Sequence, residues 1–150
     1  MVKHLTNPMR ERPLPLGSLL SAAAQRLTAK LDRELAAAGF ADLRSHHTPL
    51  FMVIDPAGTR PSDLARRAHL TKQAMGEQLT YLLDRGYLEQ LPDPSDGRAK
   101  LVRLTERGWA AVAAGEAVVN AFDAWLDGEV GADQVQATRR LLGHVIEHSP

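Results

Sequence analysis

The chain has 150 residues, 18 Lys and Arg against 18 Asp and Glu, no Cys, and 44% hydrophobic residues, few of them aromatic. That length suits one domain with a core of its own, and the absent cysteines exclude disulfide scaffolds, thiolate zinc fingers, Fe–S clusters, cysteine nucleophiles and thiol redox sensing. The longest apolar runs, such as Leu50 to Ile54, fall far short of the roughly 18 residues a membrane span needs, and no signal-type apolar block opens the chain, so it reads as soluble and cytoplasmic with no membrane partner.

Residues 1–15, with Pro8, Pro13 and Pro15, read as an extended arm. Ser18 is the expected cap of a long amphipathic helix, whose apolar residues recur at Leu20, Ala23, Leu27, Leu31, Leu35 and Ala38 in steps of three and four until Gly39. A shorter helix fits His46 to Ile54 behind Ser45, with Pro49 in the first turn, where a missing N–H costs little. Pro61 to Ala68 and Lys72 to Arg85 are then two helices joined by His69-Leu70-Thr71, a helix-turn-helix pattern. Tyr87–Leu91 and Ala99–Leu104 favour strand and flank Pro92 to Arg98, so they read as a hairpin with a long polar tip and an Asp-Gly turn. Thr105 caps a helix to about Asp127, and Gly131-Ala132-Asp133 opens the last one, through His148.

On a helical wheel, Met75, Leu79, Leu82 and Leu83 share one side of the Lys72–Arg85 helix and read as core. The other side holds Gln73, Glu77, Thr80, Tyr81 and Asp84, with Gly76 at its edge and Lys72 near the start. A DNA major groove accepts a helix whose first turns offer hydrogen-bonding side chains, a task that suits Gln73 and Thr80. Gly76 would let the backbone approach a duplex closely, at about 1 kcal/mol of helix propensity. The plain alternative is a solvated polar face. On the hairpin, Arg98 with Lys100 nearby suits a minor groove, where negative potential is focused. The carboxylate of Asp96 would repel phosphate, so its expected role is to support the wing by holding an Arg in a hydrogen-bonded pair.

The run from Asp96 to Gly108 closely resembles the wing signature of the MarR family of bacterial transcription regulators, D-x-R followed by a strand ending in L-T-x-x-G. Leu64-Ala65, Thr71 to Met75 and Leu83 to Leu88 resemble that family's winged helix-turn-helix, strongly over about residues 45–108 and more loosely elsewhere. The resemblance implies a mainly α (α+β) fold of six helices with a β-hairpin wing. It also implies a homodimer on a pseudo-palindromic operator in double-stranded DNA, usually a repressor released by a small molecule. It places Lys72, Gln73, Gly76, Glu77 and Thr80 on the recognition helix, Ser62 near phosphate and Arg98 at the wing tip. The DNA-binding lobe would span about 45–105, and the dimerisation region about 16–40 plus 106–150.

Independent of that likeness, the stretch Val112 to Leu126 is apolar almost all round and needs cover on two sides, which a second subunit would supply. Charge agrees: residues 1–59 carry 7 basic and 5 acidic side chains, 60–107 carry 9 and 7, and 108–150 carry 2 and 6. The acidic end thus falls in the expected dimerisation part. The family's effectors, often small aromatic acids or phenols, lodge near the starts of the second and fifth helices, which here hold His46, His47 and Trp109. These could pair with a carboxylate and stack on a ring; equally, the two His fit a water-exposed helix start and Trp109 fits packing. His144 and His148 have the i, i+4 spacing of metal ligands but no third partner, so neither a metal nor another cofactor is expected. No phosphate loop or nucleophile elbow points to an enzyme. The rival function is a winged helix that docks protein and not DNA.

Overall fold

The computed structural model describes residues 13–148; residues 1–12, most of the expected arm, lie outside the described residues. Among the described residues there are six α-helices and one antiparallel hairpin. In order they are α1 (Leu16–Ala37), a 3-10 turn (Ser45–His47), α2 (Thr48–Val53), α3 (Pro61–Arg67), α4 (Lys72–Asp84), β1 (Leu88–Asp93), β2 (Asp96–Leu104), α5 (Glu106–Val130) and α6 (Ala132–His148). This is the order of helices and hairpin that the apolar spacing and turn residues predict, and the six-helix winged fold that the resemblance implies.

The core forms because each short element contributes one large side chain to the same point. Leu50 of α2, Leu64 of α3, Met75 and Leu82 of α4, Tyr87 before β1 and Val102 of β2 are all fully buried. At about 1.5–3 kcal/mol per buried side chain of this size, the set outweighs any single surface ion pair. Leu35 of α1 and Ala111 of α5 extend the same cluster, so the long helices are anchored to the winged lobe through its core.

Local starts and stops differ from the sequence reading at three places. The first helix begins at Leu16, ahead of Ser18, because Pro15 holds the extended φ and ψ of a cap (−54° and 143°). The Pro15 carbonyl accepts the N–H groups of Ser18 and Leu19 at 2.9 and 3.1 Å. Ser45 caps nothing: its N–H donates to the Asp32 carboxylate at 2.6 Å, and His46 and His47 form a separate 3-10 turn ahead of α2. The hairpin tip is short. The strands pair up to Asp93 and Asp96, the turn falls at Pro94-Ser95, and Asp96-Gly97 belongs to β2. Pro92 is tolerated because β1 pairs only with β2 and its other edge needs no N–H.

The junction from wing to α5 explains its own residue choices. Thr105 accepts the Gly108 N–H on its hydroxyl at 3.1 Å, caps α5, and donates that hydroxyl to the Gly86 carbonyl at 2.6 Å. A Cβ on Gly108 would stand 2.3 Å from the Tyr87 carbonyl oxygen and 2.9 Å from Leu104 Cδ2, so no other residue fits without moving backbone. On α4, by contrast, a Cβ on Gly76 would meet nothing within 4 Å.

Beyond Ala111, α5 is barely covered. Val119 and Trp125 are exposed, as are Leu16, Leu19 and Leu27 of α1 and Leu141 and Ile146 of α6. The two glycines give a test with opposite signs. Gly108→Ala should destabilise the protein by about 2 kcal/mol or more through overpacking, whereas Gly76→Ala should stabilise it by up to about 1 kcal/mol through helix propensity. Urea unfolding of both variants at neutral pH measures this.

Candidate nucleic-acid interface

The helix α4 is set by its cap and its buried face. Thr71 accepts the Ala74 N–H at 3.1 Å, and Met75, Leu79 and Leu82 point into the core. That leaves Lys72, Gln73, Gly76, Glu77 and Thr80 exposed on the opposite side. Gln73, Gly76, Glu77 and Thr80, together with Tyr81, Asp84 and Arg85, line a shallow open concavity. Gln73 Nε2 donates to Glu77 Oε1 at 3.2 Å, so two neighbouring turns of this face are already coupled. Ser62 is exposed in the first turn of α3.

The wing beside it is held by a clasp absent from the sequence reading. Arg60 reaches Asp93 through Nε at 2.7 Å and Nη2 at 2.6 Å, a two-pronged contact, and Ser95 donates both N–H (2.8 Å) and hydroxyl (2.7 Å) to the same carboxylate. The Ser95 hydroxyl, the Ser95 N–H and then Arg60 lower the Asp93 carboxyl to about 2. Asp96, expected to pair with an arginine, instead accepts the Arg98 backbone N–H at 3.1 Å. The guanidinium-holding acid is Asp93, three residues earlier, at the end of β1 next to the turn, where it meets Arg60. Arg98 and Lys100 are exposed, with Lys100 near Gln90 Oε1 at 3.4 Å. Thr59 adds a two-bond bridge to Val102, 2.9 Å each way, tying the α3 approach to β2.

A second group binds the end of α4 to the long helices. Tyr87 donates its hydroxyl to Asp42 Oδ1 at 2.5 Å, Arg107 reaches Asp42 Oδ2 at 3.2 Å, and Tyr81 donates to the Asp42 carbonyl at 2.6 Å. Arg85 lies 3.4 Å over the Tyr81 ring, and His47 stacks on that ring with centroids 5.0 Å apart.

Of the three expected effector residues, His46 and His47 bring their ring centroids within 4.0 Å of each other, but only His47 lines a cavity. His47 is buried, accepts the Arg44 N–H on Nδ1 at 3.1 Å and lines an apolar cavity of about 340 Å³. His46 is exposed, Trp109 is 43% exposed, and neither lines the cavity. Its walls are Leu31, Leu35, Leu43, Phe51, Val112 and their neighbours, with Arg44 and Glu116 as its charged members. Nothing in the sequence groups Arg44 with Glu116, because one lies in the link after α1 and the other in the middle of α5, and only the folded chain sets both at one cavity. Among the described residues no three potential ligands cluster around a metal position; His144 and His148 stack, and His148 Nδ1 sits 3.1 Å from the His144 carbonyl.

A helix-turn-helix with an exposed polar second helix and a braced hairpin beside it defines a winged-helix protein. Residues 41–99 match the model of the MarR family. The HTH-type transcriptional repressor Rv2887 of Mycobacterium tuberculosis is 33% identical over 128 residues, which cover 85% of this chain and 91% of that protein. A mutant MarR from E. coli, solved in complex with operator DNA, is 25% identical with a TM-score of 0.73, covering 93% of this chain and 99% of that one. FabT of Streptococcus pneumoniae in complex with DNA shares the fold, at 14% identity and a TM-score of 0.77 over 88% of this chain and 93% of that one. The chain belongs to the MarR family of transcriptional regulators. No helix among the described residues is long and apolar enough to cross a membrane.

Burial, then the neighbouring His46, lowers His47 from its ordinary 6.5 to about 4. The unfolded chain takes up this proton near 6.5 and the folded chain only near 4, so the stabilisation is complete above 6.5 and is lost as pH falls to 4. Between about pH 7 and about pH 4.5, the wild-type unfolding free energy should drop by about 2 kcal/mol more than that of His47→Gln, measured by urea denaturation.

Proposed function

We propose that this protein is a repressor that binds a pseudo-palindromic operator as a homodimer. The observation that carries the reading is the pairing of one uninterrupted polar helix face, Lys72 to Thr80, with an exposed Arg98 on a hairpin that the Arg60–Asp93 clasp holds rigid beside it. In this reading α4 lies in the major groove. Gln73 and Thr80 address base edges, and Gly76 admits close approach. Lys72 and Ser62 meet phosphate, and Arg98 with Lys100 follows the backbone toward the minor groove, while Asp96 supports the wing turn through the Arg98 N–H. The operator complex of the E. coli relative supports duplex DNA as the partner, and the curated name of the mycobacterial relative supports repression.

The exposed apolar residues of α1, α5 and α6 support the dimer: Leu19, Val119, Trp125 and Ile146 would form a large apolar patch on a monomer. A two-fold axis there sets the two α4 helices about 34–36 Å apart, one turn of duplex. The cavity between α1, α2 and α5 suits the small aromatic acid or phenol expected as effector. Its size lies in the ordinary ligand range, its walls are apolar, Arg44 offers a cation, and His47, with Nδ1 occupied, keeps its proton on Nε2 as a donor. His46 and Trp109 are not part of this version of the site.

Arg98→Ala should weaken binding to operator and non-operator duplexes alike and lower the slope of log K against log salt by about 1. Gln73→Ala should instead cost about 1–3 kcal/mol at one base pair and leave non-specific binding unchanged. Fluorescence anisotropy on the duplex upstream of its own gene, at two salt concentrations, separates these outcomes. A chain that sediments as a monomer with no salt-dependent duplex binding would overturn the reading.

For the cavity, calorimetric titration with salicylate should give a binding isotherm that Arg44→Ala abolishes. No heat from the wild type at millimolar ligand removes the effector assignment.

A further inference from the structure

Most acids of the winged lobe are neutralised by an arginine. Asp42 has Arg107, Asp55 has Arg67, Asp63 has Arg66, Glu89 has Arg103 and Asp93 has Arg60. Glu77 differs. It sits in the middle of the exposed α4 face, and among the described residues no cation lies within ion-pair distance of it; its contact is the Gln73 amide. A bare carboxylate at the centre of a surface that approaches phosphates is unfavourable unless the duplex supplies a donor at that point.

The contact also fixes how the pair can read bases. A carboxylate only accepts, so the Gln73 amide must turn Nε2 toward it, leaving Gln73 one N–H and the carbonyl oxygen. Glu77 retains free acceptor lone pairs and no donor. In the major groove, guanine presents N7 and O6 acceptors and thymine an O4 acceptor, and both repel a carboxylate. Adenine offers its N6 amino group but sets the N7 acceptor beside it, against the second carboxylate oxygen. Cytosine offers the N4 amino group with no acceptor alongside in that groove.

We propose that Glu77 is a specificity-determining residue that selects a cytosine in each operator half-site, accepting a hydrogen bond from its N4 amino group, with the Gln73 amide holding the carboxylate in place. The inference rests on the reading of α4 as the major-groove helix. Selection then works largely by exclusion: a duplex with guanine or thymine opposite Glu77 meets an unpaired buried charge. The discrimination corresponds to about 5- to 150-fold in affinity at that one position.

The test is selection of bound duplexes from a randomised pool by the full-length protein, as wild type, Glu77→Ala and Glu77→Gln. The wild type is expected to enrich cytosine at one position per half-site. Glu77→Ala should lose that preference at that position alone and bind random duplex more tightly, because a repulsive charge is gone. Glu77→Gln should shift the preference toward adenine, which matches an amide through N6 and N7; a side chain with only a structural role would not exchange one base for another. Identical preferences in all three proteins, or a wild-type site with guanine or thymine at every contacted position, would overturn the role of Glu77 while leaving DNA binding intact. No enrichment and no salt-dependent binding by the wild type would instead overturn the underlying reading and this inference with it.

Discussion

One carboxylate, Asp42, joins the parts of this protein that must keep a fixed mutual geometry. It lies in the link between α1 and the 3-10 turn, yet its oxygens and carbonyl meet Tyr81 at the far end of α4, Tyr87 before the wing and Arg107 at the start of α5. Burial pushes the carboxyl up, but the Tyr87 hydrogen bond, its own backbone N–H, Arg107 and Arg85 together prevail and hold it below its ordinary value. It therefore stays ionised wherever the chain is folded at neutral pH. Burial and the hydrogen bond to that anion push the Tyr87 phenol up, so the phenol remains a donor. Each arginine also lies over a tyrosine ring, 3.4 Å for Arg85 on Tyr81 and 4.4 Å for Arg107 on Tyr87. Such stacking favours guanidinium specifically, since it combines planar contact with charge.

That hub gives the cavity a physical route to α4. His47 lines the cavity on one side and stacks on Tyr81 on the other, and Tyr81 is a residue of α4 itself. A ligand that shifts His47 thus disturbs the same ring that Arg85 covers and the same hydroxyl that Asp42 anchors. In a dimer, a small rotation of each α4 is enough to alter the spacing of two recognition helices, because close-packed contacts of this kind switch between discrete arrangements. Such a coupling would need no long chain of intermediates, since one aromatic ring is shared.

What could be read from the sequence was local. The inward Met75, Leu79 and Leu82, the exposed Gln73-to-Thr80 side and the Thr105 cap all follow from residues within a few positions of one another, where periodicity and cap chemistry act. The errors were also local in form but long-range in cause. Asp96 carries the wing motif, yet the side-chain partner of an arginine is Asp93, and that arginine, Arg60, lies 33 positions before Asp93. Ser45 has the look of a cap, yet its N–H is claimed by Asp32 on the facing helix. His46, His47 and Trp109 fall at helix starts, but only His47 is buried and lines the cavity, while the neighbouring His46 ring, its centroid 4.0 Å away, stays exposed. Of the wing signature, Gly108 has the clearest cause, since the Tyr87 carbonyl occupies the space of a side chain.

Neutral overall charge does not oppose a role on a polyanion once the pairing of charges is counted. The acids of the lobe are mostly matched to arginines, whereas among the described residues Lys72, Arg98 and Lys100 have no carboxylate within ion-pair distance. An arginine already paired with a carboxylate contributes little field at a phosphate, and an unpaired lysine or arginine contributes its whole charge within about a Debye length of 8–10 Å. Among the described residues, unpaired cations thus stand on the first turn of α4 and on the wing, the two places a duplex would touch, as well as on the long helices at Arg26, Arg33 and Arg140. The surplus acids of residues 108–150 sit on α5 and α6 and discourage the opposite end from binding. If α4 and the wing meet a duplex as proposed, their unpaired cations would hold the phosphates on either side, and the helix face between them, carrying Gln73, Glu77 and Thr80, would be free to read bases.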